Sequence, residues 1–226
     1  MKEAPRLARR GGAAGELRIP TDAHARAEIN ALAALGGRLI ATCEPEFPTG
    51  LAVLDPPPPV ISVVGRLDVL QREMVAIVGP RNGSALGIKF ATQLARDLGD
   101  AGLVVASGLA RGIDHVAHSG ALDTGTVAVV AGGIDVIYPP ENAPLYAKIA
   151  KQGGVIAELP LHTAPVARHF PRRNRLFSGL ARGVVVVEAA ERSGSLITAN
   201  YALEQDGRCS PCRAPRSTPE RGGATA

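Results

Sequence analysis

From Met74 onward, apolar and polar positions follow two alternating periods. Short runs of branched apolar residues, "MVAIVG" (74–79), "LVVAS" (103–107), "TVAVVAGG" (126–133), "VIAEL" (155–159) and "VVVVEA" (184–189), read as buried strands. Between them lie segments with helical spacing. In 84–102, Leu86, Phe90, Leu94 and Leu98 fall four apart, and helices are also expected over 113–125, 142–154, 171–182 and 195–207. Strands without a polar face, alternating with helices, predict the α/β class: a doubly wound, mostly parallel sheet covered on both faces. Such sheets bind ligands outside the carboxyl ends of their strands, so the loops after each strand carry the functional information.

The flanks differ. Residues 1–36 read as a loose amino-terminal segment with one helix over 23–37. Residues 37–73 read as an extension packed on the sheet domain, and four consecutive prolines, Pro56 to Pro59, exclude helix or central strand there. Residues 74–207 form the expected Rossmann-like domain. Residues 208–226, "RCSPCRAPRSTPERGGATA", show no hydrophobic period and are expected to be disordered, without the strand a doubly wound domain would place after its last helix.

The formal net charge of +4 is a property of the ends. Residues 11–207 carry 17 basic against 19 acidic side chains, so any anion site must come from local clustering. Three cysteines among 226 residues make no disulfide scaffold, and a reduced, cytoplasmic setting is expected. No apolar run approaches the ~20 residues of a membrane helix, so no membrane partner is expected.

Five loops then stand out. After the first strand, "GPRNGSALG" offers Gly79, Arg81 and Asn82 ahead of a helix whose N–H groups and dipole favour an anion. After the second, "SGLARGID" offers Ser107, Gly108, Arg111 and Gly112, with Asp114 placed to cap a helix. After the third, Gly132 and Gly133 permit close approach of another backbone. Tyr138 and Asn142 there are either base-facing groups or, respectively, packing and a helix cap. After the fourth, "HFPRRNR" sets His169, Phe170, Arg172, Arg173, Asn174 and Arg175 at a helix start, Phe170 either stacking on a base or, the favoured reading, packing in the core, and Ser193, Gly194 and Ser195 follow the fifth strand. Glu188 ends that strand, either as a catalytic acid or, the favoured reading, as the ion-pair partner of a neighbouring arginine. The dinucleotide fingerprint and the Walker loop are both absent, and His115 and His118 lack a third ligand, so neither cofactor nor metal is expected. Arginines recurring at strand carboxyl ends share one rim, and a rim of cations and glycine turns suits a polyphosphate chain. With aromatics at 3% and no tryptophan, single-stranded nucleic acid held mainly by its backbone is the expected ligand.

"VAIVGPRN", "VVASGLARGIDHVAH", "GGIDVIYPPEN" and "HFPRRNRLFSGLARGVVVVEAAERSGSLITANYALEQ" together resemble the DNA-processing protein A (DprA, or Smf) family. The resemblance implies an extended Rossmann fold and a homodimer that binds single-stranded DNA in natural transformation. It further implies protection of incoming strands, loading of the RecA recombinase, and no catalysis. It assigns the five loops above to DNA and adds Thr198 from S-G-S-L-I-T-A; Pro140 stands where some relatives have a lysine. The family's next strand is missing from the tail, and a shifted frame near Arg208 would restore a family-like continuation. On this expectation the chain loses its last strand and exposes a sheet edge. Two other functions remain: a nucleoside monophosphate phosphoribohydrolase of the related cytokinin-activating group, and an inactive remnant.

Overall fold

A computed structural model describes residues 10–11, 20–188 and 208–212, the last five and Ser178 by their backbone only. Its centre is an eight-stranded sheet, ordered β1-β2-β6-β5-β4-β3-β7-β8. The strands are β1 (Gly37–Ala41), β2 (Val60–Gly65), β3 (Met74–Val78), β4 (Val104–Ser107), β5 (Thr126–Val129), β6 (Gly154–Ala157), β7 (Gly183–Val187) and β8 (Arg208–Cys212). β3 to β8 run parallel, while β2 joins β6 and β1 joins β2 antiparallel.

The expected strands and helices of 74–188 are present, most with slightly shorter bounds and the helix expected over 171–182 displaced two residues toward the amino end. Those helices are α3 (Ala85–Asp100), α4 (Ile113–Gly120), α5 (Ala143–Gln152) and α6 (His169–Leu180). Ahead of them come α1 (Asp22–Ala34) and the short α2 (Thr49–Ala52). Their starts have local causes. Thr21 caps α1 by accepting from the His24 amide, and the Ser84 hydroxyl caps α3 by accepting from Gly87 N at 3.0 Å. Residues 37–73 give two strands to the same sheet, with Pro56 to Pro59 in the connection before β2.

Side chains alternate across strands buried on both faces and so build a core on each side of the sheet. Ala76, Val104, Val127, Ile156 and Val184 face α6 through Leu176 and Phe177. Ile77, Val105 and Val187 face α3 and α4 through Ala91, Ala95, Ile113 and Ala117, while Ala128 and Val155 face α5 through Leu145 and Ile149. α6 therefore lies on the face opposite α3, α4 and α5. Because it runs antiparallel to the strands, its arginine-bearing first turns lie at their carboxyl ends.

One expectation changes. Residues 208–212 are a strand: β8 lies along β7, from Gly183 opposite Arg208 to Val187 opposite Cys212. Pairing of this kind is carried by backbone hydrogen bonds on the edge β7 offers, so "RCSPC" needs no hydrophobic period. Pro211 is tolerated because β8 is an edge strand. The helix expected over 195–207 lies outside the described residues. No helix among the described residues is long and apolar enough to cross a membrane.

Candidate nucleic-acid interface

The carboxyl ends of β3, β4 and β5 and the start of α6 meet at a small, shallow cleft lined by Arg81, Gly108, Ala110, Arg111, Tyr138, Pro139 and Phe170. Four separate crossovers contribute to it. The Arg81 guanidinium carbon lies 5.5 Å from the Phe170 ring centroid, and Tyr138 meets that ring edge-on at 5.8 Å and 62°. Tyr138 is 45% exposed, so an aromatic face opens to solvent beside two guanidinium groups. Arg81 and Asn82 are exposed. Arg111 is exposed too and pairs loosely with Glu141 at 3.4 Å.

The loops are pinned together from below. Gly112 adopts φ +73°, and a Cβ there would lie 2.5 Å from the carbonyl oxygens of Pro80 and Arg81. Only glycine lets the 107–114 turn press so closely on the 79–84 turn. Asn142, expected as a base-facing group or a cap, is buried instead. Its amide donates to the carbonyls of Leu109 and Ala110 at 2.8 and 3.2 Å, and its Oδ1 meets His115 Nδ1 at 2.8 Å. Ser107 is likewise internal, donating to the Ile77 carbonyl at 2.6 Å. Gly132 and Gly133 are buried, and the backbone they admit belongs to this chain: Cβ atoms there would lie 2.6 Å from Thr163 O and 2.5 Å from Pro160 O. Gly79 is close-packed against Val187 O and the Ile113 side chain. These residues were expected to face DNA. Buried polar groups need internal partners, and close-packed glycines have no room for an outside ligand.

The arginines of α6 divide. Arg173 turns inward. Its Nη1 donates to Gly108 O at 2.6 Å and Val129 O at 3.1 Å, and its Nη2 donates to Asn174 Oδ1 at 3.3 Å. Its Nε is buried and makes no hydrogen bond, although the residue as a whole keeps some exposure. Burial pushes this guanidinium down to about 10, Asp114 opposing the shift and Arg81 adding to it. Asp114, across Gly108, accepts from the amides of Gly108 and Ala110 at 3.2 and 3.3 Å. Burial raises its carboxyl against the pull of Arg173 and these donors. Arg172 and Arg175 both engage Glu158, an acid just past β6 that lies in the "VIAEL" run and was not expected to take part in the site. Asn174 is buried and His169 half-buried at the helix start. Ser193, Gly194, Ser195 and Thr198 lie outside the described residues.

The amino end of α3 also departs from expectation. It already holds an anion, the chain's own Glu188, whose carboxylate accepts from Ser84 N at 2.8 Å and from the Ser84 hydroxyl. A Cβ on Gly87 would lie 2.5 Å from that carboxyl carbon, so glycine makes room for it. Glu188 has φ +55°, unusual for a residue with a side chain. Its place between β3 and β7 is the switch point of this sheet, where strand order reverses and ligands of such folds commonly bind. Among the described residues no group of three or more potential metal ligands occurs. His118 pairs with Thr126 Oγ1 at 2.7 Å, and burial pushes it down to about 3.

Comparison with known proteins agrees with this architecture. A family model described as DNA recombination-mediator protein A matches residues 38–222, reaching past Gly207 into the tail. The Escherichia coli protein Smf is 44% identical over 162 residues, 70% of this chain and 43% of that protein. The Bacillus subtilis DNA processing protein DprA is 41% identical over 163 residues, 71% of this chain and 55% of that one. The chain thus spans about half the length of the curated relatives it matches. The X-ray structure of DprA from Streptococcus pneumoniae superposes with a TM-score of 0.78 at 36% identity, covering 85% of this chain and 66% of that one. A Helicobacter pylori DprA structure, described for its single-stranded DNA binding mode, gives 0.73 at 29%, covering 77% and 80%. With a family match over most of its length and a shared overall fold, the chain belongs to the DNA recombination-mediator protein A (DprA/Smf) family.

Proposed function

We propose that this chain binds single-stranded DNA on the β3–β4–β5 rim. The observation that carries this is the joining of Arg81, Arg111, Tyr138 and Phe170, from four crossovers, in one open cleft. Arg81 and Arg111 take successive phosphates, while Tyr138 and Phe170 offer a stacking face to a base, a contact indifferent to sequence because every base has a π-face. Asn82, Gly108 and His169 border this surface. Arg173, Asp114, Asn142 and the buried glycines hold it rigid. Membership of the family supports the same ligand, as does the single-stranded DNA binding of the Helicobacter pylori relative.

In the whole protein this binding serves natural transformation: incoming strands are shielded and passed to the RecA recombinase by a cytoplasmic homodimer, without catalysis. The sheet domain, with the 37–73 extension in its sheet, is the DNA-binding unit. The ribohydrolase alternative gains no support from the site, since Glu188 fills the switch-point crevice that a nucleotide phosphate would need.

Fluorescence anisotropy with labelled oligo-dT tests the proposal. Affinity should fall steeply with salt, log K against log[salt] having a slope of about −0.7 per phosphate contacted. Arg81→Ala should make that slope shallower by about 0.7. Phe170→Ala should cost about 1–3 kcal/mol of binding with the slope kept. Salt-independent binding, or no binding, refutes the assignment.

A further inference from the structure

Glu158 follows β6 and lies beneath the first turns of α6. Its side chain is only 7% exposed, yet it takes two guanidinium groups. Arg172 donates Nε to Oε2 at 3.2 Å and Nη2 to Oε1 at 2.9 Å, and Arg175 donates Nη2 closely to Oε1. Arg175 is itself 12% exposed and also donates to Pro56 O at 2.8 Å, which ties it to the 37–73 extension. Arg172 is 56% exposed, and Glu158 anchors its fork from below. With Arg173 turned inward, these two arginines are the cations that α6 brings to the β6 end of the rim, and they share one counter-charge.

An enclosed carboxylate with two cations has a direct consequence for a polyanion. A phosphate approaching this end must compete with Glu158 for Arg172, and the local charge it meets is one unit less positive than the arginines alone would give. Arg175 is fixed by a second acceptor. Arg172 has its length in solvent, so it is the group that loss of the carboxylate would release.

We propose that Glu158 is the charge-setting residue of the interface: it positions Arg172 and Arg175 and holds Arg172 back from phosphate. The proposal rests on the single-stranded DNA assignment above and deepens it. Glu158 keeps the affinity below what the arginines of the rim would otherwise produce, a useful property in a chain that must release its strand.

The test is anisotropy with oligo-dT from about 50 to 200 mM salt, the range over which phosphate contacts register. Wild type, Glu158→Gln, Arg172→Ala and the double variant are compared, each first checked for a cooperative thermal transition. Glu158→Gln should bind more tightly at low salt and steepen the slope by about 0.7, one added single-strand phosphate contact. Adding Arg172→Ala to it should return the slope to the wild-type value. Arg172→Ala alone should leave the slope unchanged. A Glu158→Gln variant that folds but keeps the wild-type slope overturns the proposal. Should Glu158→Gln fail to fold, Arg172→Ala, on an exposed side chain, decides: an unchanged slope supports the proposal and a loss of about 0.7 overturns it. Wild type without salt-dependent binding sinks the DNA assignment and this proposal together, whereas a normal wild type with an unaltered Glu158→Gln sinks the proposal alone.

Discussion

Replacing Arg173 by Met removes the cation that fastens α6 to the 107–114 turn. Arg173 donates to Gly108 O and Val129 O, its guanidinium carbon lies 4.8 Å from the Phe177 ring centroid, and its charge offsets Asp114. Methionine keeps much of the apolar stem, so the loss is chiefly electrostatic. Breaking one side of a buried pair costs about 3–5 kcal/mol, because the partner charge is left without compensation. Partial exposure of Arg173 lets water reach the vacated position, which favours the lower end. A domain of this size loses about 2–4 °C of melting temperature per kcal/mol. The expected drop is therefore about 6–12 °C for a cost of about 3 kcal/mol. Circular dichroism melts of Arg173→Met, Asp114→Asn and the double variant should show the double variant losing less than the sum of the singles, since removing both charges leaves neither uncompensated. In DNA titration at a temperature where it is folded, Arg173→Met should keep the wild-type salt slope. A variant that melts within about 2 °C of wild type, a cost of about 0.5–1 kcal/mol, but loses slope would show Arg173 to be a phosphate ligand and the inward placement to be wrong.

Other outcomes follow from the same geometry. Gly112→Ala puts a Cβ within 2.5 Å of two carbonyl oxygens at φ +73°, so it should destabilise by about 1–3 kcal/mol and weaken DNA binding, measured by urea unfolding and anisotropy. His118, pushed down to about 3 from an ordinary value near 6.5, binds its proton more readily in the unfolded chain. Its contribution to stability is thus complete above about pH 6.5 and declines as pH falls toward 3, by up to about 1.4 kcal/mol per unit; in urea titrations His118→Gln should flatten that decline. Glu188→Ala empties the amino end of α3, and calorimetry should detect weak inorganic phosphate binding in the variant where wild type shows none; equal heats in both would mean that Glu188 does not fill an anion position.

How much of this was legible in the sequence depended on which interaction placed each residue. The strands of β3 to β7 were readable because their burial on both faces leaves an unbroken apolar run. β8 was not, because an edge strand joins through its backbone and needs no hydrophobic period. The rim could be inferred because parallel strands bring their following loops to one side, which joined Arg81, Arg111 and Phe170 correctly. The direction of each side chain could not. Arg172, Arg173 and Arg175 are alike in one dimension, and only packing turns Arg173 inward and gives the other two to Glu158. Glu188 was visible as an acid at a strand end and Glu158 lay unmarked in the "VIAEL" run; the partners of both lie 14 or more residues away along the chain.

The location of the strand on the rim is best measured by photo-crosslinking. An oligo-dT carrying 5-iodouracil is irradiated with the protein, and the adducts are mapped by mass spectrometry. Adducts concentrated on Tyr138 and Phe170, and lost at high salt, are the result expected here. Adducts clustered instead at the opposite ends of the strands, around Arg72 and Arg182, would contradict the placement of DNA on the carboxyl-terminal rim.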